Sequence, residues 1–204
     1  SGIRNSMVVQ SGSALRTITG GNTCNERNTS LDFFSRYAKT PVADPSGNAF
    51  YWTGDGMVVG SNVVKFYWRN VPTADGWWQE TNSAVVVTPA STLDTASVIS
   101  VTPTSLPVRY TFGSHPLVWG AALYDAGAYV YVYGTGAVDA AKTRRLYVAR
   151  VPKASLASFS AWTFRTATGT WSASQADAAP LSTTFEPSFS FDVVSRNGRY
   201  WLIQ

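Results

Sequence analysis

An apolar alternating strand that meets a short glycine-containing turn and returns as an aromatic-rich strand recurs along this 204-residue chain, and it restricts the fold more than any other feature. The copies are Met57–Trp68, Ala121–Tyr133 and Phe191–Ile203, with a fainter one at Ser6–Leu15. Their turn glycines Gly60, Gly127 and Gly198 lie roughly 70 residues apart, so the repeating unit is a whole multi-stranded sheet and not a lone hairpin. Repeated antiparallel sheets of this kind stack radially as the blades of a β-propeller, which gathers ligand-binding residues around one axis. The expectation is therefore an all-β fold, a single β-propeller domain over residues 1–204. The chain opens inside the faint copy and stops at Trp201-Leu202-Ile203-Gln204, within a returning strand. An open sheet edge there would leave N–H and C=O groups unpaired. We therefore expect three blades plus part of another, incomplete at both ends, with a companion polypeptide completing the ring. A small open sandwich that happens to repeat is the alternative.

Composition supports a β-rich globular domain. Aromatic residues make up 14% of the chain and charged residues 14%, which argues against disorder. Pro, Gly, Ser, Thr and Asn punctuate it at short intervals, as short strands joined by turns require. Only Ser30–Tyr37 has a helical pattern, with Leu31, Phe33 and Phe34 forming a turn or two under a loop. The net charge of +4 is small, and Arg144-Arg145 is the only adjacent basic pair, so no basic stripe for nucleic acid exists. No apolar run reaches the ~18 residues of a membrane span. Cys24 and His115 are each the only residue of their kind, which excludes an internal disulfide and a Cys/His zinc site. No metal or cofactor is expected. Abundant Ser, Thr and Ala with few Lys fits a secreted bacterial protein.

The repeat also locates a candidate site, because the residues just before each innermost strand face the common axis on one side. The inner strands are expected at Met7-Val8-Val9, Met57-Val58-Val59, Ala121-Ala122-Leu123 and Phe189-Ser190-Phe191. Before them stand Arg4-Asn5-Ser6, Trp52–Gly56, His115–Gly120 and Phe185–Ser188. Such a mixture suits carbohydrate, since aromatic faces stack on sugar C–H patches while carboxylates and amides bond hydroxyls or act as acid and base. Asp55 and Glu186 are the candidate catalytic carboxyls, and Asn5, Ser6, Trp52, His115, Trp119 and Ser188 the candidate substrate-binding residues. Two readings of Asp55 stay open: close approach to a ligand between two glycines, or a turn whose Asp bonds its own backbone. Asp192 is either an inward carboxylate or a hydrogen bonder to the next sheet. In Trp77-Trp78 the two side chains point to opposite faces, one into the core and the other free as a sugar platform. Arg144, Arg145 and Arg150 flank an outer strand, where charge opposes aggregation.

Several ordered motifs carry a likeness: Arg4–Gln10, Tyr51–Gly56, Trp119–Ala122, Leu146–Pro152 and Phe189–Phe191. Together they resemble a bacterial five-bladed β-propeller family, formerly of unknown function, that includes endo-D-arabinanases. The resemblance implies a five-bladed propeller, a secreted setting and a polysaccharide or cell-surface glycan ligand, with glycoside hydrolysis of arabinan-like substrates as the activity. Members of that family carry a Gly-Gly-Asp-Gly type motif and a Gly-Asp-Thr motif, and neither stands in this chain. Of the family's acidic positions only Asp55 is matched, with a role in binding substrate or supporting the catalytic pair. A glycoside hydrolase is thus the leading expectation, and a lectin-like propeller that binds a glycan without cutting it is the alternative.

Overall fold

The computed structural model describes residues 7–11, 14–20, 42, 49–95, 98–99 and 101–204. In chain order the strands are β1 (Met7–Ser11), β2 (Ala14–Gly20), β3 (Phe50–Val59), β4 (Asn62–Pro72), β5 (Trp78–Pro89), β6 (Val98–Ile99), β7 (Thr104–Ser105), β8 (Tyr110–Phe112), β9 (His115–Pro116), β10 (Val118–Asp125), β11 (Tyr129–Ala137), β12 (Arg144–Pro152), β13 (Thr163–Arg165), β14 (Trp171–Ser172), β15 (Asp192–Arg196) and β16 (Arg199–Ile203). One short helix, Ala90–Thr95, follows β5. The fold is all-β, built of several sheets that do not close into a barrel. The first has the order β1-β2-β6, the second β3-β4-β5-β7, the third β10-β11-β12-β13-β14 and the fourth β15-β16, with β8-β9 as a small separate ribbon. Pairing is antiparallel except between β2 and β6.

Each full copy of the repeat is a hairpin. Met57 pairs with Val64 across the turn at Gly60, Asp125 with Val130 across Gly127, and Arg196 with Arg199 across Asn197-Gly198. Both residues of the last turn have positive φ, 54° and 71°, the type I′ geometry that an Asn-Gly pair adopts readily. The faint first copy pairs as expected, Met7 opposite Ile18. The inner strand expected at Phe189-Ser190-Phe191 begins later, at Asp192. The helical pattern at Ser30–Tyr37 lies outside the described residues.

Strand alternation decides what each sheet buries. In β11, Val130 and Val132 face one side while Tyr131 and Tyr133 face the other. The valines join Phe66, Val85, Trp119 and Phe164 in a core between the second and third sheets. Tyr133 joins Val148, Phe191 and Val193 in a core between the third and fourth. A further cluster of Tyr51, Tyr67, Ala84 and Val86 packs on Val42 on the opposite face of the second sheet. The second, third and fourth sheets are therefore stacked face to face, each sharing a core with the next. Trp162 closes the middle core: its ring lies 5.9 Å from that of Phe66 and 6.0 Å from that of Trp119, and its Nε1 donates to the Leu156 carbonyl at 3.0 Å.

The first strands of neighbouring sheets lie together, β3 against β10 and β10 against β15. Both β3 and β10 break register where they meet, between Thr53 and Gly56 and between Trp119 and Ala122. A Cβ on Gly54 would stand 2.4 Å from the Gly120 carbonyl oxygen, and one on Gly120 would stand 2.3 Å from Phe66 Cβ. Gly120 also has φ of +83°, a backbone conformation that side chains disfavour. Only glycine permits this approach of two backbones. Gly120→Ala should cost about 3 kcal/mol or more, from left-handed strain and overpacking together. Thermal denaturation should show it as a fall of roughly 6–12 °C in Tm for a chain of this size.

Candidate functional site

Two adjoining clefts open where the first strands begin. The larger, of about 520 Å³, is lined by Trp52, Trp77, Trp78, Glu80, His115, Lys142 and Arg144 among others, with Phe189 and Ser190 on its far side. The smaller, of about 290 Å³, lies among Gly54, Asp55, Trp68, Ala121, Ser190 and Asp192. Ser190 lines both, so three sheets contribute to one continuous surface.

The larger cleft has an aromatic wall. Trp52 and Trp78 meet edge to face at 4.7 Å, and Trp77 tilts against Trp78 at 5.5 Å. Trp77 is 65% exposed and Trp78 38%. The turn before them explains how so large an apolar side chain is held in solvent. Asp75 Oδ1 accepts hydrogen bonds from Thr73 Oγ1 at 2.5 Å and from the Trp77 N–H at 3.3 Å, and the Thr73 N–H donates to the Trp77 carbonyl at 2.8 Å. These bonds hold the Asp75 carboxyl below the usual carboxylate range, the Thr73 hydroxyl contributing most. Gly76, at φ +85°, supplies the left-handed residue the turn needs.

Opposite the tryptophans stands a partly buried ion pair. Arg144 Nη2 donates to both Glu80 oxygens, at 2.9 and 3.2 Å, and Nη1 donates to Thr135 Oγ1 at 3.1 Å. Its guanidinium lies 3.6 Å from the centre of the Phe189 ring. Arg144 therefore ties the second sheet, the third sheet and the segment that leads into the fourth. Removing one partner of such a pair strands the other charge, which is why both residues act as framework as well as lining. His115 sits beside this pair, with its pKa pushed down by burial first and then by Lys142 and Arg144, against an opposing pull from Glu80.

In the smaller cleft Asp55 is an inter-sheet tie. Its Oδ1 accepts from the Gly56 N–H at 2.6 Å, and its Oδ2 from the Leu123 N–H at 2.7 Å, joining β3 to β10. Lys65 Nζ donates to the Gly54 carbonyl at 3.2 Å from β4, and burial lowers its pKa while the Asp55 charge opposes this. Asp192, the first residue of β15, lines the same cleft, and its Oδ1 accepts from the Val193 N–H at 2.7 Å. Its Oδ2 has no hydrogen-bond partner among the described residues, and the residue is exposed.

Of the residues expected to meet at one mouth, Trp52 and His115 share the larger cleft and Asp55 borders the smaller. Trp119 is a core residue instead, 1% exposed and packed on Trp162 and Phe164, because its pairing with Gly134 puts it on the face of the sheet that carries Val130 and Val132. Glu186 accepts a hydrogen bond from the Arg144 N–H at 3.1 Å and lines neither cleft. Ser188 serves its own loop, its N–H bonding Gln204 Oε1 at 2.8 Å and its hydroxyl the Ser190 carbonyl at 2.5 Å. Asn5 and Ser6 lie outside the described residues. Glu80 and Lys142 went unread in the sequence and Arg144 was read only as a charge on an outer strand, since the pairing of Glu80 with Arg144 across 64 residues leaves no local pattern. The one available signal was Glu80 close behind Trp77-Trp78.

The family model that matches this chain is "Domain of unknown function (DUF5005)", over residues 2–204. The chain belongs to that family. Within the DUF5005 family, this member is similar in fold to a crystal structure from Bacteroides ovatus ATCC 8483 described as a "putative hydrolase". The two share a TM-score of 0.60 and 16% sequence identity, over 97% of this chain and 52% of the other. The chain thus spans about half the length of that structure, and at this identity the likeness is one of fold. A search of curated proteins found no match for this DUF5005 chain. No helix among the described residues is long and apolar enough to cross a membrane, and no three metal-ligating side chains cluster there.

Two outcomes follow from the geometry. Asp55→Ala should lower stability by about 2–3 kcal/mol, because two charge-assisted backbone bonds are lost, and chemical denaturation measures it. His115 is depressed below its ordinary value of 6.5 in the fold, so the unfolded chain takes up the proton first as pH falls. Stability should decline from about pH 6.5 downward until the folded-state pKa is passed. Denaturant midpoints measured across that range should flatten in His115→Gln.

Proposed function

We propose that this chain forms part of a secreted, carbohydrate-active β-propeller of the five-bladed type, a glycoside hydrolase acting on arabinan-like or related polysaccharide. The observation that carries the reading is the wall of Trp52, Trp77 and Trp78 facing Glu80, Arg144 and His115 across one cleft. Exposed indole faces suit the C–H faces of sugar rings, and the polar side opposite suits hydroxyl groups. The face-to-face sheets with their first strands together support the propeller, and the similar Bacteroides ovatus structure supports hydrolase chemistry.

Glycoside hydrolysis needs two carboxyl groups across the scissile bond. Asp192 is the carboxylate of this chain best suited to one role, since one of its oxygens is unpartnered among the described residues and it opens into the cleft next to the sugar platform. Asp55 is assigned to support, because backbone N–H groups occupy both its oxygens. The second carboxyl is proposed to come from outside this chain, in a companion segment that completes the ring. Binding without cleavage is the second reading, and it is favoured by the clamping of Glu80 by Arg144.

The decisive experiment titrates arabinan and related polysaccharides against the protein and follows reducing-end release. Trp77→Ala should weaken binding by about tenfold, the loss of one stacking contact of about 1.4 kcal/mol. Unaltered affinity would remove the cleft from the proposal. Binding with no new reducing ends would select the lectin-like reading.

A further inference from the structure

Lys142 is the cation of the larger cleft whose charge is left over. Glu80 and Arg144 neutralise each other there, while Lys142 forms no ion pair among the described residues. Its backbone is also unusual. The strand connection from β11 to β12 turns with the Lys142 N–H donating to the Asp139 carbonyl at 3.0 Å and the Thr143 N–H to Asp139 Oδ1 at 2.9 Å. This places Lys142 at φ +62°. Among the described residues the other non-glycine at positive φ is Asn197, a residue type that tolerates this conformation. Lysine adopts it seldom, and strain of this kind, held here by the Asp139 turn, clusters at ligand sites.

The groups that face Lys142 narrow the task. Asp75 feels its charge, yet the Asp75 carboxyl is already held by Thr73 and Trp77. The same ammonium helps push the His115 pKa below its ordinary value, after burial. A ligand lying on Trp77 and reaching across the cleft therefore meets one uncompensated positive charge. We infer that the cleft is built for an acidic glycan, with a uronosyl ring stacked on Trp77 and its carboxylate bound by the Lys142 ammonium. This rests on the glycan-binding reading above and specifies the sugar class at that subsite.

Calorimetric titration of the protein with a uronic-acid oligosaccharide and with a neutral arabino-oligosaccharide of equal length tests it. The uronide should bind about tenfold more tightly at low salt, with the preference shrinking as salt screens the charge. Lys142→Met should abolish the preference and leave neutral binding in place, and Lys142→Arg should retain it. Lys142→Gly should also abolish it with Tm at or above that of the parent, since glycine relieves the left-handed backbone. Equal affinity for the two oligosaccharides in the parent protein, a preference that survives in Lys142→Met, or capture of a sulfated oligosaccharide alone would overturn the acidic-sugar assignment while leaving glycan binding intact. Failure of every oligosaccharide to bind would overturn both.

Discussion

The contact of β3 with β10 is the constraint on which the rest of this structure depends. Two strands from different sheets approach until Gly54 touches the Gly120 carbonyl, a distance at which any side chain would collide. Both strands break register at the contact, which frees backbone groups that would otherwise bond within their own sheets. The freed groups are then used between sheets. Leu123 donates to Asp55, Trp119 accepts from Trp68 Nε1 at 2.9 Å, and the Trp119 N–H donates to Ser83 Oγ at 2.7 Å. The polar bonds hold the first strands together while the apolar faces behind them fill with Phe66, Val132 and Trp162.

The clefts are a consequence of that contact. Because β3 lies against β10 and β10 against β15, the connections at one end of these strands come near one another. The Thr73–Trp77 turn, the Asp139–Thr143 turn and the segment before β15 each reach the larger cleft from a different sheet. Arg144 binds these three rims through Glu80, Thr135 and the Phe189 ring, which keeps the distance between tryptophans and charges set. Rigid aromatic surface and fixed charge lower the ordering cost of whatever ligand binds there.

Much of the fold was readable from the chain. Alternation in Tyr129–Tyr133 and the turn glycines marked the hairpins, because a period of two and a positive φ are local properties. Trp52 and His115, expected from the chain to share one mouth, both line the larger cleft. Trp119 stands one residue ahead of Gly120 where Trp52 stands two ahead of Gly54, so the pleat turns the two rings to opposite faces of their sheets. Which face is core is decided by the sheet that packs there. Glu80 with Arg144, and Asp55 with Leu123, are likewise products of sheets brought together from distant segments.

By itself the sequence determined the element types, the turns and the repetition of the sheet, since these follow from side-chain alternation and from glycine's freedom at particular points. Tertiary structure alone decided which carboxylates are engaged and which are open. Asp55 reads as a residue before an inner strand and Asp192 as one within a strand, and each bonds the N–H that follows it. A neighbouring strand lies against Asp55 and takes its second oxygen, whereas the second oxygen of Asp192 has no such donor among the described residues. That distinction is one of distance between sheets, a quantity that no local pattern in a chain encodes.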